Sequence, residues 1–187
     1  MDDWVAPAFK QLLRQPIDTL SNEEVESLGL FSYHLIVGTK CRIDKLRRNC
    51  AWYVPKFKKD LTCTTPGYCE AAWKGEWVNG VARLIMHPTD YTSLQDLRGQ
   101  LADPSLKVTD ICPRCLQTTI NALLAKNIFE REEHMIDEAV QKMVDFATDK
   151  EVRAKLTKVA CAIFGTDAQG RPVPPQFKPL QLDNNRQ

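Results

Sequence analysis

The chain has 187 residues, 43% hydrophobic and 26% charged, which is the make-up of a folded globular protein and excludes a disordered one. Its net charge is +1, so no overall field draws it to nucleic acid or to a membrane surface. No apolar run is long enough to span a bilayer, and the acidic start M-D-D-W-V-A-P is not that of a signal peptide, so the expected setting is intracellular, in cytoplasm or nucleus.

The elements read as helices throughout. Trp4 to Arg14 carries Val5, Ala8, Phe9, Leu12 and Leu13 at helical spacing and stops before Pro16. S-N-E-E follows, in which Ser21 and Glu24 fit a capping box for a helix that Gly29 closes. Leu30 to about Asn49 reads as a longer helix with Phe31, His34, Leu35 and Gly38 on one face and a strongly basic end. After Pro55 the run K-F-K-K-D-L-T-C-T-T-P-G-Y-C is a loop, turned by Pro66 and Gly67.

From Cys69 a second long helix places Trp73, Trp77, Val81 and Leu84 at helical spacing and ends at His87-Pro88. Thr92-x-x-Gln95 fits another capping box, for a helix from Ser93 to Ala102. K-V-T-D-I then has room for a brief strand. Pro113 suits the first turn of a helix running to about Lys126. Two further helices follow, one with Met135, Ile136, Ala139, Val140, Met143 and Val144 inward, the other from Lys150 to Phe164 with Val152, Leu156, Val159 and Ala160 inward. Residues 165–187 are Pro-rich and polar, the composition of an extended, mobile tail.

Seven cysteines stand at 41, 50, 63, 69, 112, 115 and 161, an odd count that argues against a secreted disulfide framework. A structural zinc ion takes four soft ligands at tetrahedral geometry, commonly from two close pairs. Cys63 and Cys69 offer one pair across a turn. Cys112 and Cys115 offer the other at a helix start, where free amides favour thiolates. The first spacing is wider than usual, and His87 is a substitute ligand should Cys63 not take part. Two other readings of C-P-R-C stay open: unmetallated core thiols, and a redox couple in the strand–C-x-x-C–helix order of a thioredoxin-like site. The chain supplies almost none of the further strands that a thioredoxin fold needs. Cys41, Cys50 and Cys161 read as small core residues.

The stretch from Lys40 to Lys59 interleaves Lys40, Arg42, Lys45, Arg47, Arg48, Lys56, Lys58 and Lys59 with Trp52, Tyr53 and Phe57. Basic groups beside aromatics can hold phosphates and stack bases, yet one such patch on a neutral chain makes nucleic acid an unlikely partner. The bland alternative is a solvated face whose aromatics cover the core. Trp73 and Trp77 read as core and zinc-site packing. Glu130, Glu132, Glu133 and His134 read as a solvated helix face, and no nucleophile, phosphate-loop or dinucleotide motif is present.

Four stretches taken together resemble a known family: D-D-W-V-A-P-A-F-K-Q-L-L, E-V-E-S-L-G-L-F-S-Y-H-L-I-V-G-T-K-C-R-I-D, L-T-C-T-T-P-G-Y-C-E-A-A-W-K-G-E-W-V-N-G-V-A-R-L-I-M-H-P and I-C-P-R-C. They resemble the helical, Cys-containing region that follows the BTB/POZ domain in basidiomycete fungal proteins, over about residues 4 to 147. Cys63, Cys69, Cys112 and Cys115 match that family's cysteine pattern. The pattern begins at Trp4 and leaves no room for the BTB fold itself, so the adaptor activity of BTB proteins is not carried over.

The sequence therefore predicts an all-α, irregular bundle of about six or seven helices over residues 1–164, with a flexible tail over 165–187. Zn is expected at Cys63, Cys69, Cys112 and Cys115. The function expected is non-enzymatic, a protein–protein interaction module for an unknown protein partner. The alternatives are a thiol-disulfide oxidoreductase using Cys112 and Cys115, and a nucleic-acid-binding module through residues 40–59.

Overall fold

In the computed structural model, residues 5–15, 20–87, 92–103, 106, 108–147 and 150–166 are described. Each helix among them starts where backbone chemistry lets it. Helix α1 is Val5–Arg14 and α2 is Asn22–Trp52. The Ser21–Glu24 capping box opens α2 as expected: the Glu24 amide donates to Ser21 Oγ at 3.2 Å, and the Ser21 amide donates to Glu24 Oε2 at 2.7 Å. Gly29 breaks α2 with φ +74°, a left-handed conformation that favours glycine.

Helix α3 is Pro66–Glu76, continued by a π-helical turn, Trp77–Val81, and a last turn, Ala82–Ile85. The π turn takes up one residue more than an α turn. It moves the inward position from Leu84, expected at regular spacing, to Ile85, which is buried. Helix α4, Leu94–Ala102, is capped one residue later than expected. Ser93 is its N-cap and accepts from the Asp96 amide at 3.0 Å, because Asp96 Oδ2 also pairs with the Ser93 hydroxyl. Helices α5 (Pro113–Leu124), α6 (Arg131–Phe146) and α7 (Lys150–Phe164) complete the set. With α3 counted as one, the described residues hold seven helices and no strand. The strand expected in K-V-T-D-I is a turn and bend over 109–111, with Asp110 at φ +69°. Lys107, Val152, Ala160 and residues 167–187, including most of the expected tail, lie outside what is described of their placement or side chains.

The chain divides into two compact units. Met1–Leu35 and Val140–Gln187 make the first, Ile36–Ala139 the second, so α2 and α6 each contribute residues to both. In the first, α1 buries Val5, Ala8, Phe9, Leu12 and Leu13 and contacts α7, which buries Leu156 and Val159. Ser32, fully buried, donates to Met143 Sδ at 3.7 Å.

The second unit holds one continuous core. Trp73, Trp77, Ile85, Leu94, Leu97, Ile111, Cys115, Ile120 and Phe129 pack in it with Leu46, Cys50 and Ala51 of α2. Both indoles are satisfied, Trp73 Nε1 by Pro55 O at 2.9 Å and Trp77 Nε1 by Ala51 O at 3.3 Å, and their rings lie 5.7 Å apart.

The buried line of α2 is not the one the sequence suggested. Phe31, His34 and Gly38 are exposed, while Ser32, Ile36, Thr39, Lys40, Ile43, Leu46, Arg47 and Cys50 are buried. Half of that line is polar, which hides it from any hydropathy pattern. Arg47 shows how such a line is stabilised. Its guanidinium donates from Nε (3.2 Å) and Nη2 (2.6 Å) to Ile85 O, and from Nη1 to Thr92 O at 2.9 Å and to Glu132 Oε1 at 3.0 Å. The other Glu132 oxygen accepts the Leu94 amide at 2.6 Å, at the start of α4, where a helix dipole favours negative charge. Glu132 is fully buried, so the solvated acidic face expected around it is wrong at this residue. Its charge is tolerated there because each oxygen has a partner.

Candidate metal centre

The segment that leaves α2 is laid along the second unit by its own backbone. Val54 and Phe57 turn against the core. The Lys58 amide donates to the buried Thr119 Oγ1 at 3.0 Å, and the Thr119 hydroxyl donates back to Lys58 O at 3.1 Å. Asp60 then folds the chain. Its Oδ1 accepts from the Thr62 amide at 2.9 Å and the Thr62 hydroxyl at 2.5 Å, and the Cys63 amide closes the turn on Asp60 O at 3.2 Å. These two Thr62 bonds, helped by the charge of Arg114, hold the Asp60 carboxyl below its ordinary pKa. That turn presents Cys63. Three residues later Pro66 starts α3, and Cys69 falls on its inward side.

Cys112 is the N-cap of α5 and Pro113 its first residue, which puts Cys115 in the first turn of the helix and fully inside. The Sγ atoms of Cys63, Cys112 and Cys115 all lie within 4.8 Å of one another, close enough to hold one metal ion. Cys69 is outside that mutual group but adjoins it. Its Sγ is 3.8 Å from Cys63 Sγ and accepts the Cys112 amide at 3.4 Å. Cys115 Sγ accepts the Asp60 amide at 3.3 Å. Backbone amides thus point at two of the sulfurs, the kind of outer contact that orients a ligating thiolate. Tyr68 and Asp110 flank the cluster, and the charge of Asp110 with its hydrogen bond pushes the Tyr68 hydroxyl pKa up.

The two thiols of the C-x-x-C pair are electrostatically unlike. Amides of Cys115 and Arg114, free at the helix start, draw the half-buried Cys112 thiol below its ordinary pKa. Burial pushes Cys115 up to about 11. A cation beside both would stabilise the thiolate forms together, as metal ligation does.

The structure therefore brings together three of the four expected ligands and sets the fourth, Cys69, beside one of them. His87 is exposed past the end of α3 and is not in the group, so the thiol from the 60–63 turn holds the place for which the histidine was the substitute. Of the three cysteines read as core, Cys50 is buried, with its thiol pKa raised by burial, and Cys161 is half-buried. Cys41 is exposed, on the outer side of α2, and that reading of it fails. The amides on the sulfurs could not be read from sequence, since they come from Asp60 and Cys112, 55 and 43 residues from the cysteines they serve.

No helix among the described residues is long and apolar enough to cross a membrane. No family model, no curated protein and no solved structure matches the chain.

Proposed function

We propose that Cys63, Cys69, Cys112 and Cys115 bind one structural Zn²⁺, and that the helical unit so stapled is a non-enzymatic protein-binding module. The convergence of Cys63, Cys112 and Cys115 carries the metal part of this reading. At Zn–S bonds of about 2.3 Å, tetrahedral sulfurs stand ~3.8 Å apart. The Cys63–Cys69 separation is already 3.8 Å, and the three among Cys63, Cys112 and Cys115 need only a small closure from within 4.8 Å. Cys69, outside that group, has to draw in towards Cys112 and Cys115. An all-thiolate set suits zinc over the oxygen-seeking divalent ions. With four protein ligands no position is left for substrate, the arrangement of a structural centre. The resemblance to the region following BTB domains supports the same reading and supplies no activity.

Native mass spectrometry of the intact chain tests it. One zinc per chain is expected, lost in Cys112→Ser; freshly reduced protein that carries no metal would end the proposal.

The unlike thiols favour one second reading, a thiol-disulfide couple in which Cys112 attacks and Cys115 resolves. On that reading Cys112 in metal-free protein is alkylated at a lower pH than an ordinary thiol, and Cys115 only well above it. Equal alkylation profiles for the two would exclude it.

A further inference from the structure

Core packing does not account for Trp52, the last residue of α2, or for Tyr53 just beyond it. Trp52 and Tyr53 are 82% and 81% exposed, directly after the buried Ala51. Aromatic rings of this size ordinarily bury about 150–250 Å² each, and these stand side by side in solvent. On the same helix Lys45, Arg48 and Trp52 recur at spacings of three and four, so they share one exposed face.

The chain beyond Tyr53 continues that face as a fixed ledge. From Val54 to Asp60 it is irregular chain outside any helix, with Val54 and Phe57 packed against the core and Lys56, Lys58 and Lys59 exposed. Pro55 O, both backbone groups of Lys58 and the Asp60 amide are all bonded to the core beneath. The lysines therefore stand on backbone that is already ordered. From Asp44 to Asp60 the exposed cations are Lys45, Arg48, Lys56, Lys58 and Lys59. Asp44 and Asp60 oppose them, and the Asp60 carboxylate is engaged by Thr62. Arg47, of the same run, is buried against Glu132 and adds nothing outward.

Charge complementarity asks for an acidic partner, and the acidic stretch of this chain is engaged at home. Glu132 is in the buried pair, Glu130 meets Arg98 at 3.5 Å, and Glu138 meets Arg42 at 3.6 Å and His134 at 3.3 Å. A second copy therefore does not supply the counterpart from that stretch. A nucleic acid would ask for a broadly basic face, and this chain carries a net charge of only +1. Trp and Tyr, by contrast, are residue types that anchor protein interfaces.

We propose that the last turns of α2 and the ledge after them, Lys45 to Lys59, dock an extended acidic protein segment. One aromatic or aliphatic side chain of that segment rests on Trp52 and Tyr53, and its carboxylates run along Lys56, Lys58 and Lys59. This deepens the reading of the chain as a protein-binding module, and none of its contact residues is a proposed metal ligand.

Fluorescence anisotropy on the full chain, with zinc content measured on the same sample, tests it. The labelled probes are a poly(Glu,Tyr) copolymer, poly(Glu) and oligo(dT), at roughly physiological salt, where surface charges are screened beyond about 8 Å. The copolymer is expected to bind tenfold or more tighter than poly(Glu). Trp52→Ala/Tyr53→Ala removes that difference and leaves poly(Glu) binding as it was. Lys56→Glu/Lys58→Glu/Lys59→Glu weakens both. All five positions are exposed, and an unchanged melting temperature verifies that the variants fold. Equal binding of the two polymers, an aromatic variant that binds like the parent, or no binding at all would overturn the proposal. So would oligo(dT) binding tighter than the copolymer, which would give the ledge to nucleic acid. Zinc missing from a sample that still binds the copolymer would count against the metal reading alone.

Discussion

Glu132→Leu is expected to lower stability by about 3–5 kcal/mol, the cost of leaving half of a buried ion pair in place. For a chain of this size that is a fall in melting temperature of roughly 6–20 °C. The Arg47 guanidinium would keep Ile85 O and Thr92 O but lose the Glu132 carboxylate, and the Leu94 amide would lose its acceptor. Arg47→Met/Glu132→Leu removes both charges at once and recovers part of the loss. It does not reach the parent, because Ile85 O, Thr92 O and the Leu94 amide would then each lose a partner, at about 1–3 kcal/mol per group that stays buried. Denaturant melts of the three proteins decide it. A Glu132→Leu protein within about 1 kcal/mol of the parent would mean that the pair is incidental to the fold.

The second large effect is expected on stripping the zinc proposed for the four thiols. Structural zinc is worth on the order of 10 kcal/mol in small peptides that cannot fold without it. Here the unit has a core of its own, so a loss of a few kcal/mol is expected, and it should be local. Hydrogen exchange should quicken at the amides around the thiols, from Lys58 to Cys69 and from Ile111 to Leu116. Amides of α4, which supplies none of the four thiols, should change less. Uniform loss of protection, α4 included, would show that the thiols carry the whole unit and not a staple within it. Unchanged exchange after zinc is stripped would show that they carry none of it.

Much of the fold was legible because it is written in local chemistry. The Ser21–Glu24 box, Pro113 at a helix start, and the spacing of Val5, Ala8, Phe9, Leu12 and Leu13 each depend on residues within a turn or two. The cysteine pairs were legible for the same reason, since each is held by one turn or one helix start. What joins them is not local. Cys63 reaches Cys112 and Cys115 because the ledge is pinned to Thr119 and Cys115, and no periodicity announces that. The inward line of α2 was misread because Ser32, Thr39, Lys40 and Arg47 lie on it. A hydropathy pattern counts such residues as outward, and only their distant partners make them inward ones. Glu132 was misread by the same logic, its signal lying in Arg47 and in the start of α4, 85 and 38 residues away.

The π turn in α3 has a consequence for how this chain can vary in length. Trp73 and Ile85 both face the core across a helix in which three ordinary α turns span about 10.8 residues. The separation in the chain is twelve, 85 less 73, and the wide turn at Trp77–Val81 absorbs the surplus. Elsewhere in a helix, gaining or losing one residue swings everything beyond it by about 100°. Dropping one residue from Val78–Val81 would instead restore plain α-helix and leave Trp73 and Ile85 on their inward line. Length variation among descendants of this chain therefore has a foothold inside a buried helix, and a gap there is the trace of a turn tightening, with the core residues on either side unmoved.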